Sequence, residues 1–263
     1  MNTYVEYVAT DAAAYERSMG RWSRRLAEPF LDALALSDGL RVVDAGCGTG
    51  ALSAALLDRY PAAQVTGVDL GQAYVEAARV AMPRARFELG DIMSLPLQTG
   101  SQDAALALLV LAFVPDPGKA AREMARVTRP GGIVATAMWD FAGGFPFLQL
   151  FADTAAVVLR EGAEWRDQHF AHPIGTPGRL SALFEQAGIL EPQESDISIR
   201  QEFASFDDWW QPWQAGQGFV GAFVTKLEPP ARARLEGALR RAWGSTGPRS
   251  FVATARMAVG RVA

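Results

Sequence analysis

Along the first 140 residues, short apolar segments alternate with amphipathic ones, each pair separated by turn residues. Leu40–Asp44, Gln64–Asp69, Arg86–Leu89, Ala104–Val110 and Ile133–Met138 are too short for helices and read as strands. Leu106–Val114 is apolar throughout, which suits a parallel strand buried on both faces. The spacings between them predict helices over Gly50–Arg59, Gln72–Ala81 and Lys119–Thr128. Pro83 stops the second, and Arg129-Pro130-Gly131-Gly132 ends the third. A connection rich in turn residues lies around Pro96–Ser101. Repeated strand–helix–strand units cross over right-handedly, so this half should form a parallel sheet with helices on both faces.

The second half is less regular. Thr176-Pro177-Gly178 opens a helix that Gly188 closes, and Ser195–Phe203 and Phe251–Val262 alternate in strand fashion. Phe141–Gly175 and Asp207–Gly244 fit neither pattern. With the N-terminal helix they are expected to cap a single domain spanning 1–263, as cap elements 1–35, 141–175 and 207–244 above the strand ends.

One turn carries most of the chemical information. In Val42-Val43-Asp44-Ala45-Gly46-Cys47-Gly48-Thr49-Gly50 an apolar strand ends in a carboxylate and three alternate glycines, then a helix begins. Glycine admits positive φ and lets a ligand approach the backbone, and the helix presents free N–H groups to the gap. The stretch is a cofactor seat. Gly46, Gly48 and Ala51 also satisfy the G-x-G-x-x-G/A pattern of dinucleotide-binding folds, with Asp69 near the distance of a ribose acid. Asp44, however, would repel a pyrophosphate and would suit a phosphate-free cation such as S-adenosylmethionine. Asp69 ends the second strand, where it can accept from ribose hydroxyls, and Asp91 follows the third, where it can accept from an adenine amine.

These segments resemble the class I S-adenosylmethionine-dependent methyltransferases, in particular the group containing the ubiquinone/menaquinone-biosynthesis-type and other small-molecule enzymes. The resemblance rests on Val42–Gly50, Val65–Leu70, Phe87–Leu97 and Arg122–Gly132 in order, with a helix containing Tyr15 and Trp22 ahead of them, and thins beyond Asp140. It implies a Rossmann-like α/β fold: a seven-stranded doubly wound sheet, mostly parallel, whose antiparallel C-terminal edge is the pair Ser195–Phe203 and Phe251–Val262. Gly46, Cys47, Gly48 and Gly50 are then expected around the methionine moiety, with Asp44 orienting the turn. Leu70 and Ile92 would pack near the adenine, Leu108 and Leu109 would close the pocket by the sulfonium, and Tyr15 and Trp22 would either cover it or pack on the sheet.

Composition narrows the partners. With 25 basic and 29 acidic residues the net charge is −4, and no basic block suggests nucleic acid. No secretory signal is evident, and no stretch reaches the ~18 consecutive apolar residues of a membrane span, so a cytoplasmic location is expected. Cys47 is the single cysteine, which fits a reducing compartment and a packing role. The oligomeric state is open, a homodimer being one option.

Catalytic groups are harder to name. Leu109–Val114, just past the central strand, offers no base. His169 and His172 are the only histidines; a metal would need a third ligand, so no metal is expected, and the two fit surface or capping roles or, with His169 favoured, a base, with Asp140 as a further candidate. An acceptor needing no base is equally compatible. The aromatic run Phe203, Phe206, Trp209, Trp210, Trp213, Phe219 and Phe223 could line a pocket for a flat or apolar small-molecule acceptor, or pack a helix face or dimer contact. The expected reaction is methyl transfer to such a metabolite. A non-catalytic S-adenosylmethionine-binding regulator and a nicotinamide-dependent oxidoreductase remain as alternatives.

Overall fold

A computed structural model describes residues 12–170, 173–216, 218–244 and 247–263. Its strands are β1 (Arg41–Ala45), β2 (Gln64–Asp69), β3 (Arg86–Leu89), β4 (Gln102–Leu108), β5 (Thr128–Trp139), β6 (Leu190–Phe203) and β7 (Arg249–Arg261). They form one sheet in the order β3-β2-β1-β4-β5-β7-β6. The pairs among β1 to β5 are parallel, whereas β7 runs antiparallel to both β5 and β6. The expected architecture is therefore present, with its reversal of strand direction at the C-terminal edge.

The helices are α1 (Ala12–Tyr15), α2 (Arg21–Asp32), α3 (Ala51–Arg59), α4 (Gln72–Ala81), α5 (Pro117–Val127), α6 (Pro146–Val158), α7 (Arg160–Phe170), α8 (Arg179–Gln186), α9 (Phe206–Gln214), α10 (Gly218–Lys226) and α11 (Pro229–Trp243). A π-helical turn, Glu16–Gly20, joins α1 to α2. Asp116 caps α5 by accepting from the Lys119 N–H, with Pro117 just inside the helix where no N–H is missed.

Several boundaries depart from the periodicity; β5 begins at Thr128, not Ile133, and so takes in the Arg129–Gly132 stretch expected only as a helix stop. Instead of continuing to Val110, β4 stops at Leu108, because Leu109 turns into the left-handed region at φ 64°. And β6 begins at Leu190, not Ser195: the charged residues Glu191, Glu194 and Asp196 stand at a sheet edge, where a strand need not look apolar.

Two apolar layers flank the sheet. One packs Leu111, Met124, Leu180 and Phe184 under α5 and α8. The other is larger and strongly aromatic, bringing α2, α3, α6, α9 and α11 together through Trp22, Phe147, Phe151, Trp210 and Trp243. Trp209 and Trp210 are at most 1 % exposed, so part of the aromatic run is core rather than pocket wall. Among the described residues no helix is long and apolar enough to cross a membrane.

Candidate functional site

The glycine turn leaves β1 at the carboxyl edge of the sheet, where β1 and β4 diverge to opposite crossovers. Gly46 and Cys47 donate to the Val68 carbonyl at 2.7 and 3.0 Å, pinning the turn against β2. Gly46 has φ 79°, and a Cβ there would lie 2.5 Å from the Val110 side chain. Gly48 has φ 53° and open space on its Cβ side. The first position is thus fixed by sterics twice over, the second by backbone conformation alone.

Asp44 is 1 % exposed and accepts from Ser53 Oγ at 2.7 Å. Burial pushes its carboxyl up to about 7, with the Ser53 bonds opposing and the nearby Asp69 charge adding to the rise. Asp69 accepts from the Gly48 N–H at 2.8 Å and the Gly71 N–H at 2.7 Å, so one carboxylate braces the turn and the start of the next loop. Burial raises this acid too, against those two bonds. The Cys47 thiol is held well above its usual range by burial and the two carboxylates, which makes it inert as a nucleophile.

A cavity of about 520 Å³ opens here. Tyr15, Asp44, Gly46, Cys47, Gly48, Asp69, Leu70, Ile92, Leu108 and Leu109 line it. Among the described residues its charged lining groups are the two aspartates. The caps reach it through Ser18, Met19 and Ser23 from the N-terminal segment, Phe145 and Leu148 from the first insertion, and Trp213, Phe219 and Val220 from the second. Glu16 accepts from the Thr49 hydroxyl and so ties the N-terminal segment to the glycine turn.

Four candidates are placed elsewhere. Trp22 is buried edge-on to Phe203 at 5.2 Å, with the Arg21 guanidinium 4.4 Å from its ring. Gly50 turns its open side to Met82, whose Cε would be 2.1 Å from a Cβ. Asp91 caps its own turn by accepting from the Met93 N–H, while its neighbours Gly90 and Ile92 face the cavity. Asp140 likewise accepts from the Ala142 and Gly143 N–H groups, and it lines neither this cavity nor the next. An acid after a strand has two uses, turn cap or ligand acceptor, and sequence alone does not separate them.

A second chamber, about 630 Å³, adjoins the first. Phe113, Val114, Trp139, Phe141 and Phe219 line both, and the Phe219 ring lies 6.4 Å from that of Phe113 and 6.1 Å from that of Phe141. His169 lines this chamber, stacked on Phe219 at 5.3 Å. Its Nδ1 lies 2.7 Å from the Trp165 carbonyl, which can only accept, so the proton sits on Nδ1 and Nε2 keeps its lone pair. Burial lowers the His169 pKa, favouring the neutral ring. Among the described residues the chamber's charged lining groups are Asp116, Arg122 and Arg179. His172 lies outside the described residues.

Sequence reasoning missed Ser53, Tyr74, Trp139, Phe141, Phe145 and Leu148 as cavity or turn-supporting residues. Ser53 alone had a local signal, one turn into the helix that follows the glycines.

The family model described as "Methyltransferase domain" matches residues 43–136, from β1 to β5. Trans-aconitate 2-methyltransferase of Variovorax paradoxus is 35 % identical over 179 residues, 66 % of this chain and 65 % of that protein. The namesake from Methylobacterium radiotolerans is 28 % identical over 253 residues, 90 % of each chain. Among solved structures, Haemonchus contortus phosphoethanolamine N-methyltransferase 2 in complex with S-adenosyl-L-methionine matches with a TM-score of 0.59 and 14 % identity, covering 97 % of this chain and 58 % of that one. The matched segments thus span just under two thirds of the Variovorax protein and somewhat more than half of the Haemonchus chain. Residues 43–136 thus match a methyltransferase-domain family, and the chain shares the fold of solved methyltransferases.

Proposed function

We propose that this protein transfers a methyl group from S-adenosylmethionine to a small molecule with an apolar or aromatic body. One observation carries the reading: among the described residues, the cavity at the glycine turn is lined by one buried and one half-buried carboxylate and by no cationic side chain. Such a lining favours a cation and repels the pyrophosphate of a dinucleotide.

S-adenosylmethionine supplies a methyl group already activated on a sulfonium. The chain's part is to hold and orient. Asp69 takes the ribose hydroxyls, Leu70 and Ile92 face the adenine, and Gly46 and Gly48 bring backbone against the methionine end. Asp44, at the floor, favours the ammonium. Tyr15 closes the pocket from the N-terminal segment. The acceptor lies across the partition of Phe113, Phe141 and Phe219, which keeps water out and aligns it. Such positioning can account for about 7–11 kcal/mol of a barrier. His169 Nε2 takes the proton of an acceptor hydroxyl; a carboxylate acceptor needs none.

The named relatives are trans-aconitate methyltransferases, not ubiquinone- or menaquinone-type enzymes, which supports a soluble metabolite as acceptor over a long isoprenoid. Calorimetric titration with S-adenosylmethionine and, separately, with NADH tests the cofactor, and release of S-adenosylhomocysteine across an acceptor library tests transfer. Binding of the first ligand alone, with turnover, is expected. Preference for NADH would overturn the reading, and binding without turnover on any acceptor would favour a regulator.

A further inference from the structure

We infer that Ser53, which does not itself line the cavity, is a positioning residue: its hydroxyl holds the Asp44 carboxylate in the orientation that receives a ligand ammonium. This rests on the proposed function and deepens it at the same site.

Asp44 lies within β1 and is 1 % exposed, yet it lines the cavity. Ser53 is the third residue of α3 and is fully buried. A serine inside a helix commonly turns its hydroxyl back to the carbonyl four residues earlier. Here Ser53 Oγ donates instead to Asp44 Oδ2, at 2.7 Å, a length usual for a hydroxyl on an ionised acid. The Ser53 N–H pulls on the same carboxylate, as the start of α3 would on any acid placed there, Gly50 offering no side-chain cap. The hydroxyl is additional. A helix start needs an acceptor and gains nothing from a second donor, whereas a carboxylate gripped by a fully packed side chain is fixed in rotation.

The other groups around Asp44 work against its charge. The end of β2 brings Asp69, which accepts from the Gly48 and Gly71 N–H groups, and the glycine turn brings the Cys47 thiol. In register on the other side, β4 sets Leu106 beside it. Burial, with Asp69 adding to it, favours the neutral acid, and the Ser53 hydroxyl is the largest influence the other way. Its removal therefore leaves an acid that is both free to turn and more readily protonated, and so a poor partner for an ammonium.

Ser53→Ala deletes the hydroxyl and keeps the backbone. Difference infrared spectra against Asp44→Asn follow the protonated Asp44 carboxyl in ligand-free protein. Its midpoint in Ser53→Ala should lie about one pH unit above that of wild type, and Ser53→Thr should bring it back. Binding is then measured calorimetrically with S-adenosylhomocysteine, which keeps the ammonium, and with methylthioadenosine, which lacks it. At about pH 7 Ser53→Ala should bind the first about fivefold more weakly than wild type does, the gap closing towards about pH 9. Methylthioadenosine should bind equally to both proteins. An unmoved midpoint would overturn the inference, as would equal weakening of both nucleosides, the mark of a loosened turn rather than of a misplaced charge. Should the wild type bind neither nucleoside, the cofactor reading falls, and the ligand-free midpoint alone decides whether Ser53 governs Asp44.

Discussion

The two chambers share an aromatic wall but are assembled in different ways. The cavity at the glycine turn takes its charged groups from the ends of neighbouring strands, Asp44 in the last two residues of β1 and Asp69 closing β2, within a few residues of the glycine turn. The second chamber draws Arg122, His169, Arg179 and Phe219 from separate helices along 98 positions of chain. A site on adjacent strand ends is fixed by sheet register, whereas a site on helices holds only as well as the aromatic layer behind them packs. The first should respond to changes of charge and the second to changes of volume.

The largest effect should come from that layer. Trp210 is fully buried, against Phe151 and Phe206, and Trp210→Ala should cost about 3–5 kcal/mol, read as a shift in urea midpoint. If the chambers are as separable as their construction suggests, the surviving folded fraction will still bind S-adenosylmethionine normally.

Acidity comes next. The Asp44 carboxyl is raised from 3.8 to about 7 in the folded protein, so its contribution to stability is fully present below about pH 3.8 and lost as pH rises through about 7. Ligand-free wild type should therefore lose up to about 4 kcal/mol relative to Asp44→Asn between those limits. Chemical denaturation of both proteins across the window checks this; parallel profiles would mean that Asp44 titrates normally. Cofactor affinity should move the other way and rise through pH 7, because a cation favours the ionised carboxylate.

Asp69→Ala should weaken S-adenosylmethionine by about 1.5–3 kcal/mol for each charged hydrogen bond removed. An unchanged calorimetric Kd would remove this acid from the site, and equal weakening in the second chamber would undo the division between the two.

The smallest effect concerns Leu109, held at φ 64° where β4 gives way to the turn around Val110. A β-branched side chain fits that conformation poorly, so Leu109→Val should cost about 1–2 kcal/mol. Thermal melting of this variant beside Leu108→Val distinguishes backbone strain from lost volume.

The parallel half was legible because each of its signals is local. A buried strand, a glycine turn and a helix occupy adjacent positions, so Asp44 and Asp69 could be placed at one rim from spacing alone. The acids were not separable by spacing: Asp69, Asp91 and Asp140 each accept from the N–H two residues on, and it is Asp69 of the three that lines the cavity. Aromatic density marked the second insertion but did not say which rings face inward. Trp213 and Phe219 line the cavity, and Trp209 and Trp210 are core. That choice depends on the packing of α9 and α10 against residues far away in the chain, which no window of sequence contains.

Of the seven tryptophans, Trp22, Trp139, Trp209, Trp210, Trp213 and Trp243 are each at most 6 % exposed, and their indole N–H groups have no hydrogen-bond partner among the described residues. Indoles in so dry a setting should emit at short wavelength, and most sit on the cap side of the sheet. The intrinsic emission spectrum is therefore a built-in gauge of whether that side stays shut. A red shift on warming, ahead of any loss of far-ultraviolet ellipticity, would show the lid loosening while the sheet below still holds.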